Sequence, residues 1–344
     1  MSIMRLTFKH ILRALSVLAG LLLAASCRRV PLYDSSSGIY LELQLKLNLD
    51  LTVSDTINLD RYPDYYNKLH LAAPSRLAAC FYDSKTHRLV VKEYVGPTGG
   101  YIKSVPSGTY DILVYELGTI VTQTTDDNLR GQLKAQTSDI TSSVSPGFRQ
   151  GSTRGTTSSS LNSSPIISEP DHILVARLSD VVIPEHADID ETIVIHADGS
   201  SMVETYSFIV KNVTGMENVR SVQALITGQA SSRYLWDGHN PTAPVNLLTT
   251  SVVDRSRNCM YGVYNTFGQI SAQIYFNILV TTTTGEELIY PVNVTDQIID
   301  PDNTDHKITI TDTIKVTPSG DGASEGYMPV VNEWDDEIIA VPIN

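Results

Sequence analysis

Cysteine is nearly absent from this chain. Its 344 residues include three, Cys27, Cys80 and Cys259. That excludes a disulfide-dense scaffold, and with so few thiols and scattered histidines no zinc pattern can be assembled. Cys80 in "RLAACFYD" and Cys259 in "DRSRNCMYG" are far apart in sequence, so two separate thiols are expected, with a bridge as the alternative. Positive charge is the second deficit: 25 Lys and Arg face 38 Asp and Glu, a net of −13. An acidic chain of this kind is a poor partner for nucleic acid or anionic lipid. No long segment has a helical period. No nucleophile elbow, phosphate-binding loop or HExxH motif occurs, and nothing singles out a carboxylate pair for glycoside hydrolysis. The expectation is a protein without catalytic residues, without a cofactor and without a metal.

Two segments carry residue types that ligate metals. "EHADIDETIVIHADG" holds His186, Asp188, Asp190, Glu191, His196 and Asp198, and alternation would put Asp188 and Asp190 on one face. A solvated hairpin end accounts for the same residues. "DPDNTDH", Asp300 to His306, starts like an EF-hand, but Asp305 stands where the loop needs glycine, so it reads as a turn.

What is present begins with a leader. Arg5, Lys9 and Arg13 precede the apolar run "ALSVLAGLLLAAS", too short for the about 20 residues that span a bilayer. It ends in "LLLAASC", which resembles a bacterial lipobox. Residues 1–26 are read as a lipoprotein signal peptide and Cys27 as the lipidated residue, held by acyl chains at about 0.8 kcal/mol per buried methylene. Arg28 is not the Asp of inner-membrane retention, so the expected location is the outer membrane, with the cell surface as the further expectation. Residues 27–39 form the tether.

The rest reads as strands. "LELQLKLNLDL" places Leu41, Leu43, Leu45, Leu47, Leu49 and Leu51 on one face and polar residues on the other. "SRLAACFYD", "RLVVKEYVG", "GYIKSVPSG" and "TYDILVYELG" follow, split by Gly, Pro, Asp and Ser clusters, the signature of antiparallel sheet. Residues 40–135 are taken as an N-terminal β-sandwich. Residues 136–170, dominated by Ser, Thr and Gly, are taken as a linker or long loop, with a glycosylated stalk as the alternative. A second strand-rich run, residues 171–316, is the C-terminal β-sandwich. In its last strand, "KITITDTIKV", Ile308, Ile310, Ile314 and Val316 share a face that Asp312 interrupts, which predicts a bulge or a sheet edge. Residues 317–344 are a C-terminal tail.

The pieces "CRRVPLYD", "PSGTYDILVYELG", "DHILVAR", "ALITGQASS", "YNTFGQI" and "NEWDDEI" occur in this order along nearly the whole chain. Together they resemble a Bacteroidetes lipoprotein family of unassigned function, similar to the FimB-type anchor or tip subunits of type V fimbriae. The resemblance implies an all-β chain of two tandem transthyretin-like Greek-key β-sandwich domains. It implies a fimbrial anchor, tip or minor structural subunit, with fimbrillin-like subunits as partners and assembly by β-strand complementation. Polymerising relatives lose their first strand to proteolysis; a cut at Arg61 would do that here, whereas an anchor would keep the strand. The leucines of the first strand and Trp334, Ile338, Ile339 and Val341 of the tail are the candidate strand-exchange or docking residues. The alternative is a glycan-binding surface lipoprotein, with Tyr234 and Trp236 of "SSRYLWDGHNP" stacking on a sugar. A buried aromatic plug is the other reading of that pair.

Overall fold

The computed structural model describes residues 36–49, 71–125, 127–145, 148, 152–153, 156–157, 164–185 and 192–317. Cys27, Leu51, Arg61, the segment 186–191, and Trp334, Ile338, Ile339 and Val341 lie outside the described residues.

The strands in chain order begin with β1 (Ser36–Leu45), β2 (Leu77–Asp83), β3 (Leu89–Val95), β4 (Gly99–Pro106) and β5 (Gly108–Glu116). Short strands follow: β6 (Gln123–Thr124), β7 (Lys134–Gln136), β8 (Ser152–Thr153), β9 (Thr156–Thr157) and β10 (Ile166–Ser168). Then come β11 (Leu174–Ile183), β12 (Ile193–Ser201), β13 (Glu204–Val210), β14 (Val213–Thr214), β15 (Val219–Gln229) and β16 (Ser232–Tyr234). The last are β17 (Val245–Asp254), β18 (Cys259–Thr266), β19 (Tyr275–Thr282), β20 (Glu287–Asn293), β21 (Lys307–Ile310) and β22 (Ile314–Lys315). One helical turn, Thr295–Ile299, precedes β21.

Two sheets dominate. The first has the order β3-β2-β5-β11-β12-β1-β4. Its end strands β3 and β4 are consecutive and meet at a hairpin, where Gly96 and Gly99 exchange N–H···O bonds of 3.1 and 3.0 Å. The sheet therefore curls nearly into a barrel, around Ile39, Leu41, Phe81, Ile102, Ile112 and Val114. The second has the order β20-β19-β15-β17-β18-β13-β21, with β10 added beside β17. Its core is aromatic: the Phe208 and Phe276 rings lie 4.6 Å apart, and Tyr206 stacks between Tyr264 and His306.

The sheets do not follow the order of the sequence regions. β11 and β12, from the second strand-rich run, pair with β5 and β1 and complete the first sheet. β5 is interior to that sheet, and its run "YDILVY" is buried on both faces, covered above and below. Tyr110, Ile112 and Val114 face the barrel, while Leu113 and Tyr115 face a second core. That second core joins the two sheets: Ala78, Cys80 and Tyr82 meet Met202, Val203, Ala230, Leu235 and Phe267 across the junction. The ends of the Ser/Thr-rich segment are also built in, since Val144, Phe148 and Ile166 pack on Leu225, Leu279 and Ile289 of the second sheet.

Three further expectations meet the structure. Sheet pairing is not purely antiparallel: β1–β12, β10–β17, β13–β21 and β14–β22 are parallel. Parallel neighbours require a long crossover, and each pair here joins strands far apart in sequence. Cys80 and Cys259 are free and buried, one in each sheet, which removes the bridge alternative. The last alternating strand does break at Asp312: Thr311, Asp312 and Thr313 are exposed, and the ladder passes from β13–β21 to β14–β22.

Candidate interaction sites

The first strand sits in the interior of its sheet. β1 starts at Ser36 and ends at Leu45, earlier at both ends than the leucine pattern. On one side Ile39 to Leu45 pair with Ile193 to Gly199 of β12. On the other, Tyr40, Leu41 and Glu42 pair with Tyr101, Gly100 and Gly99 of β4. Ile39, Leu41 and Leu43 are buried and Leu45 is packed at the rim of the same core. Leu47 and Leu49, beyond the strand, are half-buried. A one-residue slip would put Tyr40, Glu42 and Gln44 into the barrel, so the register is firmly set. Gly99 fixes the approach of β4: its φ is +99°, and a Cβ there would collide with the Leu41 carbonyl.

The loop "SSRYLWDGHNP" folds back on the junction. β16 pairs with β7, Ser232 to Tyr234 against Lys134 to Gln136. Leu235 is buried, and its N–H donates to the Leu133 carbonyl at 2.9 Å. Trp236 is half-buried under the Arg130 guanidinium, 4.1 Å from its ring centre. Tyr234 stacks on His239 at 3.9 Å, inside a turn closed by Gly238 N–H to Tyr234 carbonyl at 3.0 Å. Arg130 also pairs with buried Asp111 of β5. One chain of contacts thus runs from the first sheet through Arg130 to Trp236. Trp236 and Tyr234 thus each have one ring face engaged within the molecule.

A second charged cluster lies on the junction side of β2 and β3. Asp127 accepts from Lys92 and, at 3.1 Å, from the Tyr115 hydroxyl. Cys80 Sγ lies 3.9 Å from the same carboxylate. Burial, with Asp127 adding to it, pushes the Cys80 thiol up to about 12, so it stays protonated and unreactive at neutral pH. Burial raises Cys259 as well. His172 uses both ring nitrogens on hydroxyls, Ser201 Oγ at 2.7 Å and Thr205 Oγ1 at 3.0 Å, and Thr205 passes the link to Asn265 at 2.9 Å. These groups fasten β12 to β13 and β18. His196 and Asp198, two of the candidate metal ligands, point outward on β12, where His196 lies 3.0 Å from Glu42 across the ladder. Among the described residues no group of three or more His, Cys, Asp or Glu converges as a metal site.

The surface feature that residue patterns did not single out is a row of tyrosines. Tyr40 and Tyr101 are cross-strand partners, and Tyr94 stands two residues before the Gly96–Gly99 bridge as Tyr101 stands two after it. They are 42%, 53% and 55% exposed, on the outer face of the barrel. Gly38 leaves room for the Tyr101 ring, since a Cβ there would strike its hydroxyl, and Arg76 lies 5.0 Å over Tyr94. The sequence signal was available: Tyr40 begins the polar face of the leucine strand. That it meets Tyr101 depends on strand pairing.

No curated protein matches the chain. Among solved structures, a candidate adhesin from Bacteroides ovatus matches with a TM-score of 0.53 at 18% identity, covering 85% of this chain and 98% of the other. The two share a fold. The fimbrial anchor protein Mfa2 from Porphyromonas gingivalis aligns at 12% identity with a TM-score of 0.47, covering 79% of this chain and 88% of that one. The model of a domain of unknown function, DUF5119, matches residues 64–248, more than half of the sequence and spanning both sheets. The chain belongs to the DUF5119 family.

Proposed function

We propose that this chain is a non-catalytic structural lipoprotein of the cell envelope, an anchor, tip or minor subunit of a fimbrial assembly. One observation carries the reading. β1 is an interior strand whose leucines fill the chain's own barrel, and it begins nine residues after Cys27. A subunit held through lipid on Cys27 must keep that strand, because a cut at Arg61 would sever strand and anchor together. The fold shared with a candidate adhesin is in keeping with this role. So is the ordered set of motifs that resembles fimbrial anchor and tip subunits. Two transthyretin-like Greek-key sandwiches remain the expected description of the two curled sheets. The partner is a second fimbrillin-like subunit, reached by strand complementation through the tail, with Trp334, Ile338, Ile339 and Val341 as its side-chain anchors.

The test has two arms. Palmitate labelling and outer-membrane recovery are expected to be lost in Cys27→Ala, and intact mass of the membrane-extracted protein is expected to show β1 retained. Deleting residues 332–344 is expected to abolish higher-order subunit ladders while the protein stays at the membrane. Persistent labelling in Cys27→Ala removes the anchor, a mature chain starting near Tyr62 removes the retained strand, and unchanged ladders remove the tail.

A second reading, glycan binding, is favoured by one feature: Tyr40 and Tyr101, exposed cross-strand partners, present aromatic surface of the kind that stacks on sugar rings. Tyr40→Ala with Tyr101→Ala would then abolish glycan-array binding. Binding lost instead in Trp236→Ala, with the fold intact, would return that role to the loop.

A further inference from the structure

In the first sheet the first strand in the chain lies beside the last, and in the second, the short added β10 aside, the same holds; both pairs are parallel. In the first sheet they are β1 and β12, seven residues in register. Lys46 N–H extends that ladder to the Gly199 carbonyl at 2.8 Å. In the second sheet they are β13 and β21, continued by β14 and β22. Ser207 N–H donates to His306 at 2.9 Å and Lys211 N–H to Ile310 at 2.8 Å. Past the bend, Val316 N–H donates to Thr214 at 2.9 Å. At the bend Asn212 adopts φ 57° and its side-chain amide donates to the Thr311 carbonyl at 3.0 Å.

Direction gives this arrangement a mechanical consequence. Parallel neighbours run the same way, so the chain enters the first strand at one end of the ladder and leaves the last strand at the other. Tension on the two chain ends slides the strands along each other. The evenly spaced bonds of a parallel ladder are then loaded together, in shear. An antiparallel hairpin pulled at its open end loses its bonds one at a time. The two ladders are also in series. β12 runs into β13 through Met202 and Val203, both buried in the junction core, so load leaving the first sheet enters the second without a slack linker.

We propose that this chain is built to bear tension between its N- and C-terminal ends, through two shear-loaded parallel ladders in series. The inference rests on strand direction and register, and it holds whether the chain's partner is a fimbrial subunit or a glycan. The ladders are unequal. β1 is held by β12 on one side and β4 on the other, whereas, among the described residues, β21 ends the sheet with β13 as its one sheet neighbour. The second ladder therefore yields first.

Single-molecule pulling on the full chain tests this, because rupture under force reads the unfolding rate along the pulled direction. Handles at the two chain ends are expected to give a higher rupture force than handles on Tyr275 and Asn293, which unzip the β19–β20 hairpin from its open end. Equal forces overturn the proposal. Lys211→Pro, at an exposed position, removes the N–H that bonds Ile310. It is expected to lower the first end-to-end rupture force and leave the hairpin-unzipping force unchanged. A variant that lowers both alike, or neither, also overturns the proposal.

Discussion

β1 and the pair β21–β22 carry the same alternating pattern and occupy opposite situations. β1 is continuous and has a neighbour on each side. The later run is broken by three exposed residues, and its halves lie along a sheet edge and a separate two-stranded ladder. Ile39, Leu41 and Leu43 are buried in one, and Ile308, Ile310, Ile314 and Val316 in the other. Alternation thus reports which face of a strand is covered. It says nothing about how many strands flank it, because the flanks are joined by main-chain bonds that side chains do not encode.

The sharpest way to break this comparison is to remove equal volume from both. Leu41→Ala is expected to cost toward the upper end of about 2–5 kcal/mol, because a strand held on both sides cannot collapse into the cavity. Ile314→Ala, in a two-residue strand, is expected near the lower end of that range. Urea midpoints at unchanged slope measure both; equal losses would mean that flanking strands do not govern relaxation.

Trp236→Ala extends the comparison to the junction. Loss of a half-buried indole and its Arg130 contact is expected to cost about 1–2 kcal/mol. The loss should couple to Arg130→Ala in a double-mutant cycle. Independent effects would mean that the Arg130–Trp236 contact does not tie the sheets.

Much of this was legible. The strand-rich runs, the break at Asp312 and the turn at Asp300 to His306 follow from local chemistry, since Gly, Pro and Asp set turns and period two sets faces. What was not legible is long-range. "DHILVAR" looks like the start of a second unit, and no local feature says that β11 pairs back to β5. The same holds for the loop aromatics. "SSRYLWDGHNP" has the composition of an exposed turn, yet Trp236 is covered by Arg130, more than a hundred residues earlier in the chain. Tyr40 and Tyr101 become a pair through the β1–β4 register alone.

Asn212 offers a smaller test, at the bend of the weaker ladder. Its left-handed backbone favours Asn or Gly over other residues. Asn212→Ala is expected to cost about 1–2 kcal/mol, and Asn212→Gly less, although both lose the bond to Thr311. Equal losses by thermal melts would mean that the side-chain bond, and not the backbone, sets the bend.

The smallest effect belongs to the first sheet and depends on pH. Glu116 ends β5 and accepts the Leu174 N–H at 3.2 Å, where β11 begins. Burial raises its carboxyl above the ordinary value, Asp171 adds to that, and the Leu174 bond opposes it. A carboxyl raised in the folded state contributes stability that is full below its unfolded pKa of about 4.3. That contribution is lost as pH rises through the folded value. Once the carboxyl is ionised the native protein has lost it, while a neutral amide would not. Glu116→Gln is therefore expected to raise amide protection in β5 and β11 at pH 7, an advantage that fades below about pH 4. Protection in β13 and β21 should not change. If it rises equally, the two sheets open as one unit and the contrast between a firmly held first strand and a looser last one disappears.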